Sequence, residues 1–244
     1  MTFVDHLFIL IIAVMHPIAG YFSYNRLLRR IEAGEKIARA SLYNMTIVGH
    51  WTLFAMALSI WLTAGRSLTA LGFGLQVDAR FLTGVLLTIV AIIALALQVR
   101  KVTLAETEEL GKLRRQLGRV EAILPRNGNE LGRFYGLSLT AGIVEEVLWR
   151  GFLIWYLGQF VPVWAAAAIS AVGFGIAHAY QGAANVPRII VVGALFAGLY
   201  LLTGSLWLPM LLHAAVDMLQ GRAAYEIIQR ADTGYLPPVD SVEA

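Results

Sequence analysis

The sequence contains no cysteine and is poor in charge: only 14% of its 244 residues are Asp, Glu, Lys or Arg, against about 25% in an ordinary soluble domain. Without cysteine there is no disulfide framework, no thiolate nucleophile and no thiolate metal site. The net charge of +3 would suggest a nucleic-acid partner only if the basic residues shared one soluble face. They gather instead in two loops between apolar segments, so no nucleic-acid partner is expected. Apolar residues make up 58% of the chain and lie in long runs at 8–15, 45–62, 81–97, 161–177, 189–202 and 206–215. These reach or approach the ~20 residues that cross a bilayer.

This pattern predicts an all-α, polytopic membrane helical bundle of about seven transmembrane helices, near 4–24, 43–63, 81–99, 134–157, 162–180, 188–203 and 205–221. Asp5 and His6 stand where a signal peptide would be basic, and the first apolar run is expected to be a retained span. The loop 25–42 carries Arg26, Arg29, Arg30, Lys36 and Arg39, and the loop 100–133 is still more basic, whereas 64–80 has only Arg66 and Arg80. The positive-inside rule puts the first two loops in the cytoplasm, with the amino terminus outside and the carboxy terminus inside. A multi-pass protein of the bacterial inner membrane is expected.

Within the 100–133 loop, Leu110, Leu113, Leu117, Val120 and Leu124 recur at helical spacing with Lys112, Arg114, Arg115 and Arg119 between them. The expectation is an amphipathic helix on the cytoplasmic leaflet, apolar side down and basic side toward anionic lipid. Pro125, Asn127 and Gly128 end it. The chain divides accordingly into N-terminal transmembrane helices with this loop (1–133), a core bearing the polar motifs (134–221) and a C-terminal tail (222–244), expected to be disordered beyond Arg230.

The core holds three polar groupings inside apolar helices: Glu145, Glu146 and Arg150; Phe174 and His178; His213 and Asp217. A charged side chain at mid-bilayer costs about 2.5–3.5 kcal/mol, so four facing lipid would cost on the order of 10 kcal/mol. They must face one another or a wet cavity, which marks a functional site. Glu146 and Arg150 are four apart, share a helix face and form an ion pair. Glu145 is rotated about 100° from Glu146 and meets Trp149, not a base, one turn on; it suits a general base that takes a proton from water and returns it. His213 and Asp217 are also four apart, so Asp217 is expected to accept a hydrogen bond from one ring nitrogen and leave the other for a ligand. Phe174, one turn before His178, limits that ring's rotation. The remaining histidines read as bystanders: His16 before Pro17 satisfies a carbonyl freed by a kink, and His50 and Asn44 are interfacial.

Glu-Glu-x-x-x-Arg, then Phe-x-x-x-His, then His-x-x-x-Asp, in this order on successive helices, resembles the CPBP family of CAAX prenyl proteases (type II) and bacteriocin-processing proteins, also called Abi. The resemblance covers about residues 134–220. It implies an all-helical membrane bundle and proteolysis within or at the membrane, on a membrane-embedded or membrane-anchored peptide. By position, Glu145 and His178 resemble the pair that activates water, His213 and Asp217 the oxyanion-stabilising pair, and Glu146 and Arg150 the supporting ion pair. The prenyl-protease branch has Asn where this chain has Asp217. An ionised carboxylate cannot donate to an oxyanion, so His213 is expected to be the principal donor.

The zinc-protease signature His-Glu-x-x-His is absent. No cofactor is expected, although Glu145, His178 and His213 form a set that could bind zinc. Two other readings keep the same residues: a non-catalytic immunity or scaffold protein, and a proton-coupled carrier. The carrier should show repeated halves or matched broken spans, and none is evident.

Overall fold

The structure, a computed structural model, describes residues 1–232; the tail expected to be disordered lies almost wholly outside the described residues. Eight principal helices follow one another among the described residues. The first, α1 (Phe3–Glu32), opens on a capping box: Thr2 Oγ1 accepts from the Asp5 amide and Asp5 accepts from the Thr2 amide at 2.6 Å, satisfying two donors that a helix start leaves free. A π-helical turn at Ile11–Met15 precedes Pro17. Next come α2 (Arg39–Thr63) and α3 (Ala79–Leu104), capped by Asp78 accepting from Phe81 N at 2.9 Å. The short α4 (Thr107–Leu117) leads through a 3₁₀ turn, Gly118–Ile123, to α5 (Gly128–Glu146), capped by Asn127. Helix α5 continues without a break through a π-helical turn, Val147–Leu153, into Ile154–Leu157. Then come α6 (Val163–Ala177), α7 (Val186–Thr203) and α8 (Trp207–Arg230).

Among the described residues, four helical stretches are long and apolar enough to cross a membrane: Phe3–Glu32, Arg39–Thr63, Ala79–Leu104 and Ala183–Thr203. The other three expected spans fall on α5, α6 and α8. Helix α6 is apolar but has only 15 residues, and α5 and α8 carry the charged motifs, so their composition no longer reads as a simple span. The surface is built for lipid: α3 exposes Leu82, Leu86, Ile93 and Leu97, while Glu146 and Arg150 are completely buried. Apolar area on this scale is not left in water. The protein is an integral membrane protein.

Two expectations need correction. Helix α4 does not lay its apolar side on lipid. Leu110 is fully buried, and with Leu113 and Leu117 it packs on Val102, Ala105, Ala223 and Ile227. Leu124 continues the contact onto Ala224 and Ile228. The reason is the length of α8, which runs on as helix through residues 222–230, where a tail was expected, and presents an apolar edge that α4 covers. Arg230 closes the same corner by donating to the carbonyls of Val102, Thr103 and Ala105 at 2.8–3.3 Å, at the end of α3. Second, among the described residues the His16 side chain hydrogen-bonds no carbonyl. The π turn absorbs the irregularity before Pro17, and the His16 ring lies edge-on to His50 with centroids 6.2 Å apart.

At the other end of the bundle Asp5, fully buried, receives both terminal nitrogens of Arg66 at 2.8 and 2.5 Å. The guanidinium lies over Trp155 and Trp61, which clamps the start of α1 to the loop after α2. Arg66→Ala leaves a buried carboxylate without its partner and is expected to cost about 3–5 kcal/mol. Thermal unfolding in detergent checks this; an unchanged midpoint would show the clamp to be dispensable.

Candidate active site

The site forms where α5 meets α8, and glycine sets the distance. A Cβ on Gly142 would lie 2.7 Å from the Ala214 amide and 2.9 Å from the Met210 carbonyl, so only glycine lets the two backbones approach this closely. One turn further on, Glu145 and Glu146 therefore reach His213. The following π turn is a frequent feature of functional helices; its Trp149 carbonyl accepts from Ser170 Oγ at 2.8 Å. Ser170 and Ser138, the latter donating to Phe134 O at 2.9 Å, thus serve the backbone.

Glu146 is the anchor. Its Oε1 accepts from Arg150 Nη1 at 2.8 Å and from His213 Nδ1 at 2.7 Å. Arg150 reaches on to the Gly193 carbonyl of α7 at 3.1 Å and lies over Phe174, 4.3 Å from its centroid. The expected Glu146–Arg150 pair is present, but it also holds His213. Asp217, expected as that ring's hydrogen-bond partner, instead stands 3.7 Å from Nε2, beyond hydrogen-bond reach. A carboxylate brought in by α5 has taken the place expected of the residue four along α8.

Glu145 faces the other way. Its Oε2 is buried with no hydrogen-bond partner among the described residues, yet lies 3.8 Å from His178 Nε2 and 3.9 Å from His213 Nε2. His178 Nδ1 is tied to the Phe174 carbonyl at 2.8 Å, and the two rings pack with centroids 4.5 Å apart, so Phe174 fixes His178 as expected. Phe196 of α7 stacks on His213 at 4.9 Å. A carbonyl can only accept, so the hydrogen of a neutral His178 sits on Nδ1 and its Nε2 presents a lone pair. All the expected site residues, Glu145, Glu146, Arg150, Phe174, His178, His213 and Asp217, are gathered in one cluster.

Sequence reasoning missed two members. Phe196 gave no polar signal at all. His50, taken as interfacial, places Nε2 3.1 Å from Glu145 Oε1 and is itself buried. A histidine two turns inside an apolar run was the available signal.

A zinc ion here would have Glu145, His178 and His213 as its candidate ligands. Among the described residues no three His, Asp or Glu side chains are grouped as a metal set. Donors about 2.0–2.2 Å from one tetrahedral ion stand roughly 3.4 Å apart, and the 3.8 and 3.9 Å separations around Glu145 Oε2 are somewhat wider than that.

An apolar helical shell around a buried Glu–His cluster defines the class as a membrane protein with a buried polar centre. Residues 127–219 match the family model described as Rce1-like, type II CAAX prenyl endopeptidase Rce1-like. The match agrees with the resemblance carried by the three motifs, all of which lie inside this segment. No curated protein and no solved structure matches the chain.

Proposed function

We propose that this protein is an intramembrane endopeptidase that hydrolyses a peptide bond of a membrane-embedded or membrane-anchored substrate. The observation that carries the reading is the buried, unpartnered Oε2 of Glu145 facing two imidazole nitrogens at 3.8 and 3.9 Å. That spacing suits a water hydrogen-bonded between an acceptor carboxylate and the His178 lone pair. In this mechanism Glu145, assisted by His178, takes a proton from the water as its oxygen bonds to the scissile carbonyl carbon. The carbonyl oxygen becomes an oxyanion and is met by the N–H of His213 Nε2. His213 faces Glu145, Glu146 and Asp217 and carries the second ring proton there. Collapse of the adduct breaks the C–N bond, and the proton held by Glu145 passes to the departing amine. Asp217 keeps His213 charged, and Arg150 balances Glu146.

The same reading places seven spans in the membrane, with the amino terminus outside and the basic loops 25–42 and 100–133 in the cytoplasm. It runs without a metal. Purified protein in proteoliposomes should cleave a fluorogenic farnesylated CAAX peptide, and Glu145→Gln should abolish cleavage. Equal turnover by the variant sinks the reading. Chelator treatment is expected to leave the rate unchanged; stoichiometric zinc whose removal stops turnover would overturn the metal-free mechanism.

A further inference from the structure

His50 lies on α2, outside the three motifs and outside the segment matching the family model. Its ring is pinned at both nitrogens. Nδ1 is 2.9 Å from the carbonyl of Thr46, one turn earlier on its own helix, and Nε2 is 3.1 Å from Glu145 Oε1. His16 covers the ring edge-on. Because Nδ1 meets a carbonyl, it must donate. A neutral imidazole then has nothing left to give Glu145, and two lone pairs would oppose each other across 3.1 Å. The contact therefore requires a further proton shared by Nε2 and Oε1.

We infer that His50 is a positioning residue for Glu145: by holding Oε1 from the side of α2, it turns Oε2 toward the space between His178 and His213. The inference rests on the proposed hydrolysis at Glu145. Three features carry it. The ring's orientation is fixed by its own helix, through Thr46, so it acts as a rigid arm. The carboxylate oxygen it takes is the one not facing the two other histidines. And Glu145 has no other hydrogen-bonding side chain to hold it among the described residues, since Arg150 is committed to Glu146 and Gly193. Without His50 the carboxylate could turn about its terminal bond, and misplacing a reacting group by about 1 Å can cost on the order of 10²-fold in rate.

Two substitutions separate positioning from mere packing, because each amide copies one ring nitrogen. In His50→Gln the side-chain nitrogen falls near the place of Nε2 and can still donate to Glu145. In His50→Asn it falls near Nδ1 and keeps only the Thr46 carbonyl. On the farnesylated peptide, His50→Asn is expected to lower kcat about 10–100-fold, a loss of the size of that misplacement, with KM little changed, and His50→Gln to recover most of it. A substrate-independent readout accompanies this. The infrared difference between wild type and Glu145→Gln isolates the Glu145 carboxylate bands, which should shift in His50→Asn and stay in His50→Gln. Wild-type kcat in His50→Asn, equal loss in both variants, or unmoved carboxylate bands would each overturn the inference while leaving the peptidase reading intact. Normal turnover by Glu145→Gln would instead sink the function, and this inference with it.

Discussion

Glu146→Gln is expected to unfold at a markedly lower temperature than the native protein, whereas Glu145→Gln should keep its midpoint and lose its activity. The two side chains are adjacent in sequence but differ in what depends on them. Glu146 is completely buried, and its Oε1 serves both Arg150 and His213. A glutamine oxygen can still accept a hydrogen bond, but the charge that balances a fully buried guanidinium is gone. Breaking such a pair costs about 3–5 kcal/mol, and for a chain of this size each kcal/mol moves the midpoint by roughly 2–4 °C. The Arg150 bond to Gly193 would strain next, loosening α7 from α5. Glu145 bears no such load: one oxygen is held by His50, the other has no partner among the described residues, and an amide fits the same space. Thermal denaturation of both variants in one detergent, beside the turnover assay, decides the matter. The reverse pattern would exchange the roles assigned to the two residues.

His213→Ala should lower turnover by at least about 10²–10³-fold, the usual cost of removing one oxyanion donor. Asp217→Asn should remain far more active. Asp217 is 3.7 Å from Nε2 and partly exposed, so it contributes charge rather than a hydrogen bond, and an amide in its place could itself donate to the oxyanion. Asp217→Leu supplies neither charge nor donor. Its loss is expected to lie between the mild effect of Asp217→Asn and the severe effect of His213→Ala. Initial rates on the same peptide rank the three variants. Activity of His213→Ala near the native level would remove His213 from the proposed mechanism.

Much of this site was legible in sequence because it lies on single helices. Four-residue spacing predicted that Glu146 would meet Arg150, and that Phe174 would lie against His178. Spacing along one helix failed wherever a second helix supplied the partner. Asp217 was the obvious neighbour for His213, yet Glu146 reaches it across the Gly142 contact at 2.7 Å. His50 met Glu145 only through the packing of α2 on α5, which no local pattern records. The stripe from Leu110 to Leu124 was likewise a correct helical face with the wrong cover assigned. Periodicity reports which side of a helix is apolar, not whether lipid or protein lies against it. The length of α8 was missed because Arg222, Glu226 and Arg230 resemble the charged edge of a tail; in the fold Arg222 pairs with Glu226 and Arg230 seals the end of α3.

The reach of α8 bears on how small a working version of this protein could be made. A chain cut at residue 221 would retain every motif of the site, whereas the segment that matches the family model, 127–219, holds the motifs but not His50. The cut chain would nevertheless lose Ala223, Ala224, Ile227 and Ile228, the surface on which Leu110 and Leu124 are buried. Those leucines would then be wetted, and the carbonyls at the end of α3 would lose the guanidinium that Arg230 supplies. The smallest self-sufficient unit is therefore longer than the stretch bearing the chemistry, and trimming or protease nicking between 221 and 230 would disable the protein from a distance.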